Sequence, residues 1–140
     1  MELNESARNL IGKGADATLV TLNPDGSPHA TLVWVALQST PDGDELVVAH
    51  LSDNKKVRNV RTNPRVAATI VSPGNSSQPS LWLSITGTAR IVEGGAPELL
   101  NELAHTLCPD VDFVPEGAPP GFVTHIRIEK TGGVGPWGHG

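Results

Sequence analysis

Five of the chain's ten lysines and arginines fall within eleven residues: Lys55, Lys56, Arg58, Arg61 and Arg65. They sit on a chain whose formal net charge is -5. A dense positive patch on an acidic protein addresses a local anionic ligand, not nucleic acid in bulk. Ser52 and Asp53 precede the patch and are suited to cap a helix, because short polar side chains accept from its first free N–H groups. Those N–H groups and the positive end of the helix dipole favour a phosphate. Lys55 and Asn59 are four apart and Lys56 and Asn59 three apart, which places them on one helical face. Val57 and Val60, also three apart, are expected to face the core. Pro64 ends the helix, since the residue before a proline is pushed out of the α region. The competing explanation is an ordinary solvated charged face.

Other chemistry-bearing residues are scattered. His29, His50, His105, His125 and His139 show no metal-ligand spacing, and no nucleophile elbow accompanies them. His29, just past a turn, is a weak candidate ligand contact. Gly133-Val134-Gly135-Pro136-Trp137-Gly138 formally matches G-x-G-x-x-G. A dinucleotide loop needs a following helix and an acidic residue some twenty positions on, and the sequence ends at Gly140. Trp137 remains a candidate ligand contact, because it is large and flanked by glycines. Trp34 and Trp82 lie on apolar strands and suit packing, an interface or a ligand wall.

The elements that position these residues follow from pattern. Residues 3–14 form a short helix capped by Asn4 and ended by glycines. Strands are expected at 17–22, 28–38, 45–51, 65–71, 81–93 and 122–130, with a bend or bulge near Gly87. Turns at Asn23-Pro24-Asp25-Gly26 and Pro41-Asp42-Gly43-Asp44 join the first three. Residues 97–107 form a helix with Pro97 in its first turn and an apolar stripe of Leu99, Leu100, Leu103 and Leu107. Six strands with short turns and three small helices predict a mainly β, six-stranded antiparallel barrel.

At 140 residues the chain is expected to be one domain, 1–140. Its single Cys108 excludes an intrachain disulfide and suits a reducing compartment. The N-terminus lacks the pattern of a signal peptide, and no apolar run approaches a membrane span. The expectation is a cytoplasmic protein that binds neither membrane nor nucleic acid. Low Lys, no Tyr and abundant Ala, Gly, Val and Pro hint at a GC-rich genome such as an actinobacterium's.

The order of strand, Ser52, Lys55-Lys56-Val57-Arg58-Asn59-Val60-Arg61, Asn63-Pro64-Arg65-Val66 and strand resembles the flavin- and deazaflavin-binding split β-barrel family. That family includes pyridoxamine 5′-phosphate oxidases and oxidoreductases that use coenzyme F420. Ala17–Leu22 with Asp25-Gly26-Ser27-Pro28-His29 is similar to the family's first hairpin, and Thr86-Gly87-Thr88-Ala89-Arg90 to its G-x-A strand. The resemblance spans nearly the whole chain. It implies a homodimer with two cofactor sites at the subunit interface. Ser52, Lys55, Lys56 and Asn59 would hold the cofactor phosphate. Val33 and Trp34 would face its ring, and residues near the fifth strand, with Trp82, would come from the partner.

The implied activity is F420-dependent hydride transfer to a small organic acceptor, with FMN as the alternative cofactor. A non-enzymatic cofactor carrier or haem-binding protein on the same barrel is the second class. Pyridoxamine phosphate oxidases carry basic residues near the C-terminus for the substrate phosphate. Residues 132–140 hold no Arg or Lys, which argues against that substrate.

Overall fold

A computed structural model describes residues 1–137. Gly138, the last glycine of the G-x-G-x-x-G match, and His139 lie outside the described residues. In chain order the elements are α1 (Glu5–Ile11), β1 (Ala15–Leu22), β2 (Pro28–Thr40), β3 (Gly43–His50), α2 (Lys55–Thr62), β4 (Arg65–Ser72), β5 (Leu81–Glu93), α3 (Ala96–Leu107) and β6 (Phe122–Val134). The strands close into an antiparallel barrel in the order β1-β2-β3-β6-β5-β4. The mainly β, six-stranded architecture expected from the sequence is therefore the one observed.

Alternation builds the barrel. Ala17 and Leu19 of β1, Val66, Ala68 and Ile70 of β4, and Leu83, Ile85 and Ala89 of β5 point inward into one core, which Ile126 and Ile128 of β6 complete. α1 plugs that core with Ala7 and Ile11. Asn4 caps α1 by accepting from the Ala7 N–H at 2.9 Å, and Gly12 ends it at φ 51°. α3 covers a different sector of the wall, where Leu103 meets Ala36, Val47 and Val123. The leucine stripe divides its work: Leu103 is buried, Leu99 packs beside it, and Leu107 lies against Gly14.

One expectation changes and another holds. β6 runs four residues past the predicted strand, so Gly132, Gly133 and Val134 are strand as well. Gly133 pairs with Leu83. A Cβ on Gly133 would stand 2.1 Å from the Trp82 carbonyl oxygen, and φ there is +103°, so only glycine lets the strands approach. The bulge near Gly87 is present: the β5–β6 register shifts between Thr86 and Gly87.

The β2–β3 seam is closed along only half its length. β2 pairs with β3 from Ala36↔Val47 to Thr40↔Gly43. Before Ala36, β2 pairs with β1 alone, and after Val47, β3 pairs with β6 alone. The two strands diverge there, and their facing edges carry backbone groups that no neighbouring strand satisfies.

Candidate functional site

The divergence leaves a cavity of about 320 Å³ between the two edges. Leu32, Val33 and Trp34 of β2 form one side, and Val48 to Leu51 the other. Leu100 and Leu103 of α3 contribute apolar surface, and Asn54 and Lys56 come from the start of α2. A flat ring entering this slot would meet apolar side chains on its faces and strand backbone at its rim, the usual composition of a cofactor pocket.

Burial of Val57 and Val60 anchors α2 at this place, each contributing roughly 1.5–3 kcal/mol. Its cap corrects the sequence expectation. Neither Ser52 nor Asp53 caps the helix; Asn54 does, its Oδ1 accepting the Val57 N–H at 3.1 Å. All three residues are good caps, and only the path out of β3 selects the third.

The proposed site residues separate into three groups. Val33, Trp34 and Lys56 meet at the slot. Lys56 is half-buried, and that desolvation lowers its pKa from the ordinary value. Among the described residues no carboxylate forms an ion pair with it or with Lys55. Lys55 is exposed on the same turn, and Ser52 is exposed in the connection from β3.

Asn59 turns the other way. It is 3% exposed, and its Nδ2 donates to Thr21 Oγ1 and to Asn23 Oδ1, each at 3.1 Å. Its amide therefore ties α2 to the end of β1 instead of sharing a face with the lysines.

Trp82 and Trp137 form the third group. Trp82 lies on β5, three strand steps from Trp34 by way of β1 and β4. Trp137 is buried in the core and donates its Nε1–H to the Trp82 carbonyl. Within one chain neither lines the slot.

Sequence reasoning missed His50 and Asn54 as slot residues. His50 lines the slot at 4% exposure, with Nε2 2.8 Å from Thr124 Oγ1 and Nδ1 3.3 Å from Asn54 Nδ2. Burial, helped by the charge of Lys56, pushes its pKa down to about 4. The ring is neutral at pH 7.

On the inward face of β2, His29 and Thr31 stand beside Thr21 and Leu19. His29 Nδ1 and Thr31 Oγ1 are buried without a hydrogen-bond partner. Orphaned buried polar atoms are costly and mark places where a ligand or water supplies the missing bond. Neither residue lines the slot, whose β2 side begins at Leu32.

The pyridoxamine 5′-phosphate oxidase family profile matches residues 3–135. No curated protein sequence matches the chain. Among solved structures, an F420 reductase superimposes with a TM-score of 0.73 at 21% identity, over 89% of this chain and 94% of the other. The conserved hypothetical protein Rv2991 of Mycobacterium tuberculosis gives 0.71 at 23% identity, over 94% and 84%. A putative pyridoxamine 5′-phosphate oxidase of Listeria innocua gives 0.65 at 21% identity, over 92% and 95%. At these identities the structures share the fold.

Proposed function

This chain belongs to the pyridoxamine 5′-phosphate oxidase family, and we propose that its part in it is that of a cytoplasmic F420-dependent reductase acting on a small organic acceptor. The observation that carries this is the split β2–β3 slot with Lys56 at its wall. The slot has the shape for a flat tricyclic ring. Lys56 and Lys55, neither within ion-pair distance of a carboxylate among the described residues, supply positive charge suited to the phosphate and carboxylates of the cofactor's tail. When bound, the reduced deazaflavin supplies a hydride from its C5 carbon.

The protein's own tasks are to orient and to exclude water. Val33 and Trp34 would hold the ring by apolar contact, and the strand edges would meet its polar rim. Ser52 at the exposed approach to α2 would meet the phosphate. Asn59, with its amide engaged at Thr21 and Asn23, would serve the site by fixing α2. No side chain is assigned as general acid, because both nitrogens of His50 are already engaged.

The apolar outer face of β4, β5 and β6 supports assembly as a homodimer, with Trp82 brought to a shared site by the partner and Trp137, buried in its own chain, holding the Trp82 backbone from beneath. FMN offers a phosphate to the same lysines and is the second reading. Tryptophan quenching during titration with coenzyme F420 and, separately, FMN tests the choice, since Trp34 lines the slot. Tight saturable binding of F420 with weak FMN binding supports the reductase. The reverse preference gives an FMN protein, and no quenching by either refutes the slot as a cofactor site.

A further inference from the structure

The slot's histidine is one link in a directed chain of hydrogen bonds. Asn54 Oδ1 is used at the helix cap, where it accepts from Val57 N–H. The Asn54 nitrogen that faces His50 Nδ1 is a donor only. Nδ1 therefore accepts, and the single proton of the neutral ring sits on Nε2, where it donates to Thr124 Oγ1. The chain runs from Thr124 on β6, through His50 at the end of β3, through Asn54, to the first turn of α2. Two residues past Asn54 stands Lys56.

Nothing in the surroundings favours a charged ring. From α2, Lys56 faces it with like charge. From β6 come Thr124 and the register partner Phe122, whose ring is covered by the Arg61 guanidinium at 5.1 Å. Among the described residues no carboxylate pairs with His50. Protonation of Nδ1 would place two donors face to face and set Asn54 against its own cap.

We propose that His50 is a positioning residue of the slot: through Asn54 it fixes the first turn of α2 and holds Lys56 at the wall that meets an anionic ligand. The inference rests on the slot being the ligand site proposed above. His50 touches neither phosphate nor reacting atoms in this role; it acts by orienting Asn54.

The test uses Asn54, which is half-exposed and replaceable without emptying the core. Asn54→Ser keeps a capping oxygen but is too short to reach His50. Asn54→Asp keeps the cap and presents an acceptor where a donor stood. Nitrogen NMR of the wild-type ring at neutral pH is expected to show the proton on Nε2. In Asn54→Asp the proton moves to Nδ1 or the ring's pKa rises.

The Lys56 side chain, followed by carbon NMR, titrates below the ordinary lysine value in the wild type. It returns toward that value in Asn54→Ser while the Val57 amide stays protected. Affinity for coenzyme F420 or FMN, whichever the wild type binds, falls about tenfold in Asn54→Ser. A wild-type ring protonated on Nδ1 overturns the inference. So does a Lys56 titration, or a cofactor affinity, that Asn54→Ser leaves unchanged. If the wild type binds neither cofactor, the proposed function fails, and the ring and Lys56 titrations still decide whether His50 positions the helix.

Discussion

Trp137 donates its indole N–H to the backbone carbonyl of Trp82 at 2.7 Å. The last described residue of the chain is thus fastened across the β5–β6 seam, with its ring against Gly135, where a Cβ would stand 2.4 Å from the indole. Asn4 reinforces the closure by donating to the Pro136 carbonyl at 2.9 Å. Trp137→Phe keeps most of the buried surface and removes the bond. Denaturant unfolding should show a loss of roughly 1 kcal/mol. A stability unchanged within error would mean that the ring's burial alone holds the closure.

Lys55 and Lys56 carry the charge of the proposed phosphate site, one exposed and one half-buried. Charge-assisted bonds contribute about 1.5–3 kcal/mol each, so Lys55→Ala with Lys56→Ala should weaken cofactor binding by about a hundredfold or more. The melting temperature should barely move, because neither side chain is in the core. Of the single variants, Lys56→Ala should cost more, since its ammonium lies at the slot itself. Equal affinity in the double variant would remove the phosphate site.

The pH dependence of stability follows from His50. Its pKa is about 4 in the folded chain against 6.5 for the free side chain. Between those values the unfolded chain binds the extra proton, so stability is complete above pH 6.5 and is lost as the pH falls toward 4. The carboxylates act lower. An Arg90 hydrogen bond holds Glu45 below its ordinary value against the effect of burial. Burial would raise Asp44, but bonds from Arg8 and the Leu3 N–H outweigh it. Their contribution is lost as the pH falls below about 4, through their lowered values. Chemical denaturation between pH 7 and 4 should fall steadily in the wild type and more shallowly in His50→Gln. Matching slopes would mean that His50 is not the group that titrates.

Local chemistry carried much of this fold. The inward alternation on β1, β4 and β5, the proline and glycine turns, and the Asn4 cap are all short-range patterns, and each appears where the sequence puts it. What escaped depends on distant residues. Asn59 is near Lys55 on a helical wheel, but Thr21 and Asn23 draw its amide inward from 38 and 36 positions away. Gly132 and Gly133 have poor strand propensity, yet both lie in β6, where Gly133, lacking a Cβ, lets the strand approach the Trp82 carbonyl. The slot itself arises where β2 and β3 part company, and alternation within a strand does not reveal where its neighbour leaves it. Lys56, Val33 and Trp34 were therefore legible as residues, while His50 and Asn54 needed the three-dimensional arrangement.

Gly87 marks the bulge in the longest seam. A Cβ there would stand 2.0 Å from the Arg127 carbonyl oxygen, a backbone atom that cannot swing aside. Beside the bulge, Thr88 donates from Oγ1 to Glu129 Oε1. Gly87→Ala should therefore destabilise by roughly 2 kcal/mol or more, measured by thermal or denaturant unfolding. Thr86→Ala, one residue away and exposed, is the control and should cost little. Equal stabilities of the two variants would show that the strands separate there without penalty.

The outer face of β4, β5 and β6 leaves large apolar side chains in the open. Val134 is 54% exposed, Val71 53% and Trp82 40%, and Val71 is the direct register partner of Trp82, which in turn pairs with Val134. An apolar run across three strands is unusual on a soluble monomer and marks an interaction surface. A stable interface needs about 800 Å² from each partner, which a face of this kind can supply. Analytical ultracentrifugation should give a dimer for the wild type. Trp82→Glu places a charge at the centre of the patch and should shift the protein to monomer without unfolding it. If the cofactor site is completed by the partner, cofactor affinity in Trp82→Glu should fall with dissociation and recover as protein concentration is raised. A monomeric Trp82→Glu protein that keeps full affinity would confine the site to the slot of a single chain.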